Sequence, residues 1–221
     1  MGTPALVFDF GGPVLLTPFE LAVISPPGTA AHDLLAGRGP LADPAYPDPD
    51  WTALQAGKLT EREYWDHRAV EWAEGGGGEP TIQALIAVLY DPPRHEMIRP
   101  GAWRLMDEAR AAGRLVGVLT NDLRSFHSDA WVDQMHILEH VDVIVDGSVE
   151  GVLKPDPRLY AAMADRLGVA YADWVFIDDQ RSNVVGAEEL GIPTVHFDVT
   201  DPEASYDAAR VLLGLPVAPS G

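Results

Sequence analysis

WVFIDDQRSNVVGAEELGIPTVHF, residues 174–197, holds two strand patterns on either side of one helix pattern. Trp174–Ile177 is an unbroken apolar run that ends on the acid pair Asp178-Asp179, as in a strand buried on both faces. Ser182–Leu190 then has the spacing of a helix and stops at Gly191, and Thr194–Phe197 is a second short strand. A strand, one helix and another strand imply a right-handed crossover, hence a parallel sheet covered on both sides.

The same alternation extends outward. Trp103–Ala112 places Leu105, Met106 and Ala109 on one stripe before Gly113, and Leu115–Leu119 is an apolar run ending in Thr120-Asn121-Asp122. Ser125–Leu138 reads as a helix and Val141–Val145 as a β-branched strand. Asp156 is an N-cap with Pro157 at the first helical position, opening a helix to Leu167 with Gly168 after it. Ala5–Phe8 adds a strand near the N-terminus, so the expected core is a doubly wound, Rossmann-like α/β domain of about five parallel strands.

Residues 17–97 have another texture, with no strand pattern. Thr60-Glu61-Arg62-Glu63 is a capping box opening a helix with Tyr64, Trp65 and Trp72. Thr81–Tyr90 carries Ile82, Leu85, Ile86 and Leu89 at helical spacing, and weaker helices fit Phe19–Ile24, Thr29–Ala36 and Asp50–Ala56. The expected division is a core of residues 1–16 and 98–221, with 17–97 as a helical domain inserted after the first strand.

The 221 residues are 47% hydrophobic and 22% charged, enough for a sizeable core. With 34 acidic and 15 basic residues the net charge is −19, which repels nucleic acid and anionic lipid. A small phosphorylated ligand stays admissible, because one cation or helix N-terminus can dominate inside a cleft. The absence of cysteine excludes disulfides, thiolate zinc sites and thiol nucleophiles. No apolar run approaches the ~18 residues of a membrane span, and Leu6–Phe8 runs straight into Asp9 instead of forming a leader, so a soluble cytoplasmic protein is expected. Oligomeric state is left open, a homo-oligomer included.

Ligands of an open parallel sheet bind at the carboxyl ends of its strands. Here those ends bear Asp9, Thr120-Asn121 and Asp178-Asp179, and the strand Val141–Val145 leads on to Lys154. Carboxylates, a hydroxyl and an ammonium meeting at one edge suit phosphoryl transfer through an aspartyl-phosphate. A carboxylate can attack phosphorus only if the repulsion between two anions is neutralised, by a divalent cation and by Lys154. Thr120 can donate to a phosphoryl oxygen, helped by N–H groups at the start of the next helix. Oxygen donors without cysteine or clustered histidine favour magnesium.

Val7-Phe8-Asp9-Phe10-Gly11-Gly12-Pro13-Val14, Val118-Leu119-Thr120-Asn121, Lys154-Pro155, and Phe176-Ile177-Asp178-Asp179 with Asn183 and Ala187 resemble, in order and spacing, the four motifs of the haloacid dehalogenase-like hydrolase superfamily. The stretch from Ile98-Arg99-Pro100-Gly101 onward is similar too, and the insert stands where that family carries a helical cap. The resemblance implies that Asp9 is the nucleophile, and that Thr120, Asn121 and Lys154 hold the phosphoryl group. It also implies Mg2+ bound by Asp9, the Gly11 carbonyl and the Asp178-Asp179 pair, with Asp179 the direct ligand and Asp178 supporting. The substrate would be a small phosphorylated metabolite.

One position departs from the pattern. Two residues after the nucleophile the family usually has a second Asp, the general acid/base, worth about 10²–10⁴-fold; here it is Gly11, and Pro13 replaces the commoner Thr or Val. Three readings stay open: another residue, such as one of the cap, supplies the proton; the leaving group needs little help; or turnover is lost and the chain binds a phospholigand or regulates. The metal-free 2-haloacid dehalogenases also lack the second Asp. Their fourth motif is serine-rich, however, and Asp178-Asp179 without a cation would set two carboxylates beside an anionic nucleophile.

Other signals carry less. Gly37-Arg38-Gly39-Pro40-Leu41-Ala42 matches a dinucleotide fingerprint but follows no strand, and Pro40 breaks the required helix. His136 and His140 lack a third ligand, and no nucleophile elbow or Walker A loop occurs. The Trp65/Trp72 and Ile82–Leu89 stripes read as cap core. Arg38, Tyr64 and His67 are not distinguishable from ordinary surface residues.

Overall fold

The structure, a computed structural model, describes residues 5–217. Five parallel strands form one sheet: β1 (Ala5–Phe8), β2 (Leu115–Thr120), β3 (Val143–Asp146), β4 (Trp174–Asp178) and β5 (Thr194–His196), in the order β3-β2-β1-β4-β5. β1 is central and pairs with β2 on one side and β4 on the other, with Phe8 level with both Val118 and Ile177. The strand order reverses on either side of β1, which opens a crevice at its carboxyl end.

Alternation along β1 divides the apolar residues between two layers. Leu6 and Phe8 join the cluster of α6 (Pro100–Ala111) and α12 (Pro202–Leu213), while Ala5 and Val7 join that of α10 (Pro157–Leu167), which lies on the same side as α11 (Arg181–Glu189). The termini follow sequence chemistry. Asp156 caps α10 by accepting from the Arg158 N–H, and Gly168 closes it in the left-handed conformation.

Between β1 and α6 lie α1 (Pro18–Ile24), α2 (Ala30–Leu35), α3 (Pro49–Gln55), α4 (Glu61–Glu74) and α5 (Ile82–Tyr90), and no described residue there is in a strand. All five match helices expected from the sequence, and the capping box of Thr60 and Glu63 is formed. Phe19, Trp51, Tyr64 and Trp65 pack with ring centroids 5.2–6.0 Å apart. Phe19, Trp65 and Ile86 share one apolar cluster with Phe8 and Val118, so insert and sheet are packed together. The chain leaves and rejoins the sheet side by side: Leu15 and Ile98 form an antiparallel bridge, and Arg99 donates both to the Gly12 carbonyl and to Glu20.

Two departures from expectation are informative. The helix expected over Ser125–Leu138 is broken into α7 (Leu123–Phe126), α8 (Asp129–Asp133) and a 3-10 turn at His136–His140. His127 is extended, and Ser128 restarts the helix by accepting from the Trp131 N–H, a local cap that overrides the apolar spacing. The turn directs His136 to Glu139 and His140 toward Asp107, so the two rings share no site. Second, α12 has no counterpart in the sequence reading, although Asp201, Pro202 and Gly214 are ordinary start and stop residues. α9 (Gly147–Glu150) is a single turn after β3. No described helix is long and apolar enough to cross a membrane.

Candidate active site

β1 delivers Asp9 to the centre of the carboxyl edge, where its N–H donates to the Ile177 carbonyl (2.8 Å) and its Oδ1 accepts from the Phe10 N–H (2.8 Å). The Lys154 ammonium, 1% exposed, lies 2.8 Å from Asp9 Oδ1 and 2.7 Å from Asp178 Oδ2. Asn121 fixes the backbone that carries it: the Lys154 N–H donates to Asn121 Oδ1 (2.7 Å) and Asn121 Nδ2 donates to the Lys154 carbonyl (3.4 Å). The side chain of Asn121 is thus engaged with Lys154, and its residue still lines the cavity described next.

A cavity of about 120 Å³ covers this edge, lined by Asp9, Gly11, Gly12, Thr120, Asn121, Lys154 and Asp179 on the sheet side. Thr120 is buried, and its hydroxyl makes no hydrogen bond to a described residue. The two members of the acid pair differ. Asp178 is fully buried off the cavity wall and accepts from Lys154, Asn183 Nδ2 and the Gln180 N–H. Asp179 lines the cavity, and its carboxylate receives no hydrogen bond from a described residue. It lies against Gly12, where φ is +80° and an added Cβ would come within 2.7 Å of Asp179 Cγ, so glycine is required there. At Gly11 the reverse holds: an added Cβ would meet nothing within 4 Å.

Asp9, Asp178 and Asp179 can each offer an oxygen, all within 4.8 Å of one another. Three carboxylates around one ammonium leave an excess of negative charge, and the oxygen-only donor set fits a hard divalent cation. Electrostatics shows the same deficit. Burial, only partly offset by Lys154, pushes Asp9 up to about 7. Burial and the neighbouring Asp178 and Asp9 hold Asp179 well above the usual carboxylate range. For Lys154, Asp178 and Asp9 overcome the cost of burial and keep it charged.

The insert contributes the opposite wall, with Phe19, Trp51, Trp65, Ile86 and Tyr90, and one ionisable acid, Glu61. Burial and the charge of Asp9 push Glu61 up to about 8. The sequence reading passed over it because Glu61 lies inside the capping box, a signal fully explained by helix initiation. Arg38, Tyr64 and His67, which the sequence does not set apart from ordinary surface residues, do not line the cavity and are engaged elsewhere: Arg38 with Glu71, Tyr64 with Asp48, and His67 with Asp50. Gly39 is required by the Phe19 ring, 2.5 Å from where a Cβ would stand, and Gly37 takes φ +74°, which accounts for the two glycines of the dinucleotide-like stretch without a nucleotide.

These shifts fix the sign of a pH effect. Asp9 and Glu61 rise from 3.8 and 4.5 to about 7 and about 8, so the folded chain holds more protons than the unfolded one across that interval. Stability then falls as pH rises. His127 acts oppositely, lowered by burial from 6.5 to about 4, but its contribution is complete above 6.5. Between pH 6.5 and 8 the Tm of EDTA-treated protein should fall, and saturating magnesium should flatten the slope by removing the share of Asp9 while that of Glu61 remains. Calorimetry showing a flat or rising Tm in EDTA would contradict this charge balance.

The fold and the acid edge define a class of protein, and comparison with known proteins gives the same class. The pattern of the haloacid dehalogenase-like hydrolases matches residues 4–191. The chain belongs to that family. Acyl-CoA dehydrogenase family member 10 of Mus musculus is 25% identical over 96% of this chain, which spans 19% of that protein. Phosphoserine phosphatase of Thermus thermophilus is 29% identical over 73% of this chain and 66% of its own length. Among solved structures, the HAD-hydrolase YfnB of Bacillus subtilis superposes with a TM-score of 0.63 at 15% identity, covering 90% of this chain and 88% of that one. L-2-haloacid dehalogenase of Xanthobacter autotrophicus gives 0.56 at 20% identity, covering 99% and 85%. At these identities the structures share the fold alone.

Proposed function

We propose that the chain is a magnesium-dependent phosphatase acting on a small phosphomonoester of an uncharged alcohol, through an aspartyl-phosphate on Asp9. The observation that carries this reading is the Asp9–Asp178–Asp179 cluster, whose excess negative charge needs a cation that Lys154 alone cannot replace. Asp9 and Asp179, with the Gly11 carbonyl, would hold Mg2+, and Asp178, with its hydrogen bonds taken, supports from behind. The bound ion would supply charge neutralisation at the phosphoryl oxygens.

Asp9 attacks phosphorus in line as the ester oxygen leaves. Lys154 and the free Thr120 hydroxyl bind phosphoryl oxygens, and Asn121 holds Lys154 in place. Helices 17–97 act as a cap that excludes water and limits access to small substrates. Phosphoserine phosphatase, the name of the Thermus relative, points to a phosphomonoester with a charged leaving group, but the walls argue against an acidic leaving group. Among the described residues Lys154 is the one Lys or Arg lining the cavity, and it is already shared by two carboxylates. A substrate carboxylate would therefore meet Glu61 and apolar rings, which also disfavours a 2-haloacid.

The test is a panel with magnesium: p-nitrophenyl phosphate, 3-methylbutyl phosphate, phosphoglycolate, and 2-chloropropionate assayed for chloride. We expect kcat/KM at least about tenfold higher for 3-methylbutyl phosphate than for phosphoglycolate, since an unpaired charge on an apolar wall costs more than ~1.4 kcal/mol. Chloride release without metal would overturn the phosphatase reading. Phosphate binding without any turnover would identify a non-catalytic relative instead.

A further inference from the structure

We propose that Glu61, brought into the cavity by the first turn of α4, donates the proton to the leaving alcohol that Gly11 cannot supply. The proposal rests on the phosphatase reading and assigns the one role that reading leaves empty.

The geometry carries it. A positioned acid is absent at Gly11, where the added Cβ finds open space, and Glu61 faces the same cavity from the insert. Three other proton carriers of that cavity are engaged. Asp122 accepts from Arg62 (2.5 Å) and from Ser125 Oγ (2.8 Å), and the Tyr90 hydroxyl donates to the Leu16 carbonyl (2.7 Å). His127 stacks on Trp131 with ring centroids 3.7 Å apart. Glu61 receives no hydrogen bond from a described residue, and the other bare carboxylate of the cavity, Asp179, is assigned to the cation in the phosphatase reading.

Its position is nevertheless fixed. Thr60 before it is locked by Glu63, whose Oε2 accepts from Thr60 Oγ1 at 2.7 Å, and Arg62 after it is paired with Asp122 on the loop following β2. Both neighbours of Glu61 are therefore anchored, one to the helix end and one to the core. The apolar wall favours the protonated acid before the reaction, and the α4 N-terminus stabilises the carboxylate formed by it. Because α4 belongs to the insert, the proton donor is in place only while insert and sheet are packed together.

An Asp9 oxygen forms a bond to phosphorus, and the bond from phosphorus to the ester oxygen breaks with its electron pair going to that oxygen. The oxygen takes the Glu61 proton and leaves as the alcohol. Water then attacks phosphorus and gives a proton to the Glu61 carboxylate, and the bond to Asp9 breaks, releasing inorganic phosphate and restoring both side chains.

The experiment compares Glu61→Gln with wild type on 3-methylbutyl phosphate and p-nitrophenyl phosphate, reading kcat/KM, which reports steps through departure of the alcohol. An alkoxide needs the proton and p-nitrophenolate hardly does. The expected result is a loss of about 10²-fold for the alkyl ester and less than tenfold for the aryl ester. Adding Gly11→Asp to Glu61→Gln should recover the alkyl ester at least tenfold, since the open space at Gly11 admits the side chain. Equal losses on both esters, no loss on the alkyl ester, or a wild type that cleaves only the aryl ester would each overturn the proposal. Failure of the phosphatase reading is distinguishable, because there the wild type cleaves neither ester.

Discussion

Replacing Asp9 by Asn abolishes p-nitrophenyl phosphate hydrolysis at every magnesium concentration, a loss of at least about 10⁴-fold, and leaves the chain folded. The amide is nearly isosteric and its oxygen can still accept from the Phe10 N–H, but it is neither charged nor a nucleophile. The activated aryl ester makes this a test of the nucleophile, since it needs little proton donation. Stability should move the other way. Burial opposes ionisation of Asp9, so at pH 8 in EDTA the Asn variant loses an unfavourable charge, and its Tm should equal or exceed that of wild type. Activity within tenfold of wild type in Asp9→Asn would remove Asp9 from the chemistry and with it the aspartyl-phosphate.

The second large effect belongs to Lys154. Lys154→Met preserves the stem's bulk and removes the ammonium, leaving Asp9 and the fully buried Asp178 without their shared partner. Breaking a buried pair from one side costs about 3–5 kcal/mol. For a chain of this size that is a fall in Tm of about 6–20 °C. Turnover should fall by at least about 10³-fold, because the phosphoryl group loses its cation as well. Combining Lys154→Met with Asp178→Asn should recover part of the stability and none of the activity, which separates the structural from the catalytic consequence. An unchanged Tm in Lys154→Met would show that the pair is solvated and the charge balance described above is wrong.

The Glu61 experiment differs in kind from these two. Asp9 and Lys154 test whether phosphoryl transfer occurs here at all, whereas Glu61 tests how the departing alcohol is protonated. Its readout is therefore the difference between two esters on one variant.

Much of this was legible along the chain, because the signals are local. Unbroken apolar runs such as Ala5–Phe8 and Trp174–Ile177 identify strands buried on both faces. Asp156-Pro157 and Thr60-Glu61-Arg62-Glu63 place helix starts by satisfying free backbone N–H groups within one turn. The carboxyl-edge rule then gathered Asp9, Thr120, Lys154 and Asp178-Asp179 from four distant places without any distance being known. Where a local competitor was present the reading failed: Ser128 broke a helix that apolar spacing had joined across it.

The strand set, the helical segment between β1 and α6 and the identity of the acids and the ammonium at the sheet edge can be read along the chain, since each depends on residues close in sequence. How those groups divide the work follows from their packing. Asp178 and Asp179 are neighbours of one chemistry, yet burial and hydrogen bonds tie one to Lys154, and the other is left bare against Gly12. Nor does spacing show that Glu61 shares a cavity with Asp9, 52 positions away in sequence, or that Tyr64 and His67 do not. That depends on which face of α4 meets the sheet, fixed by apolar packing of Trp65 and by the Arg62–Asp122 pair, contacts whose partners lie far apart along the chain.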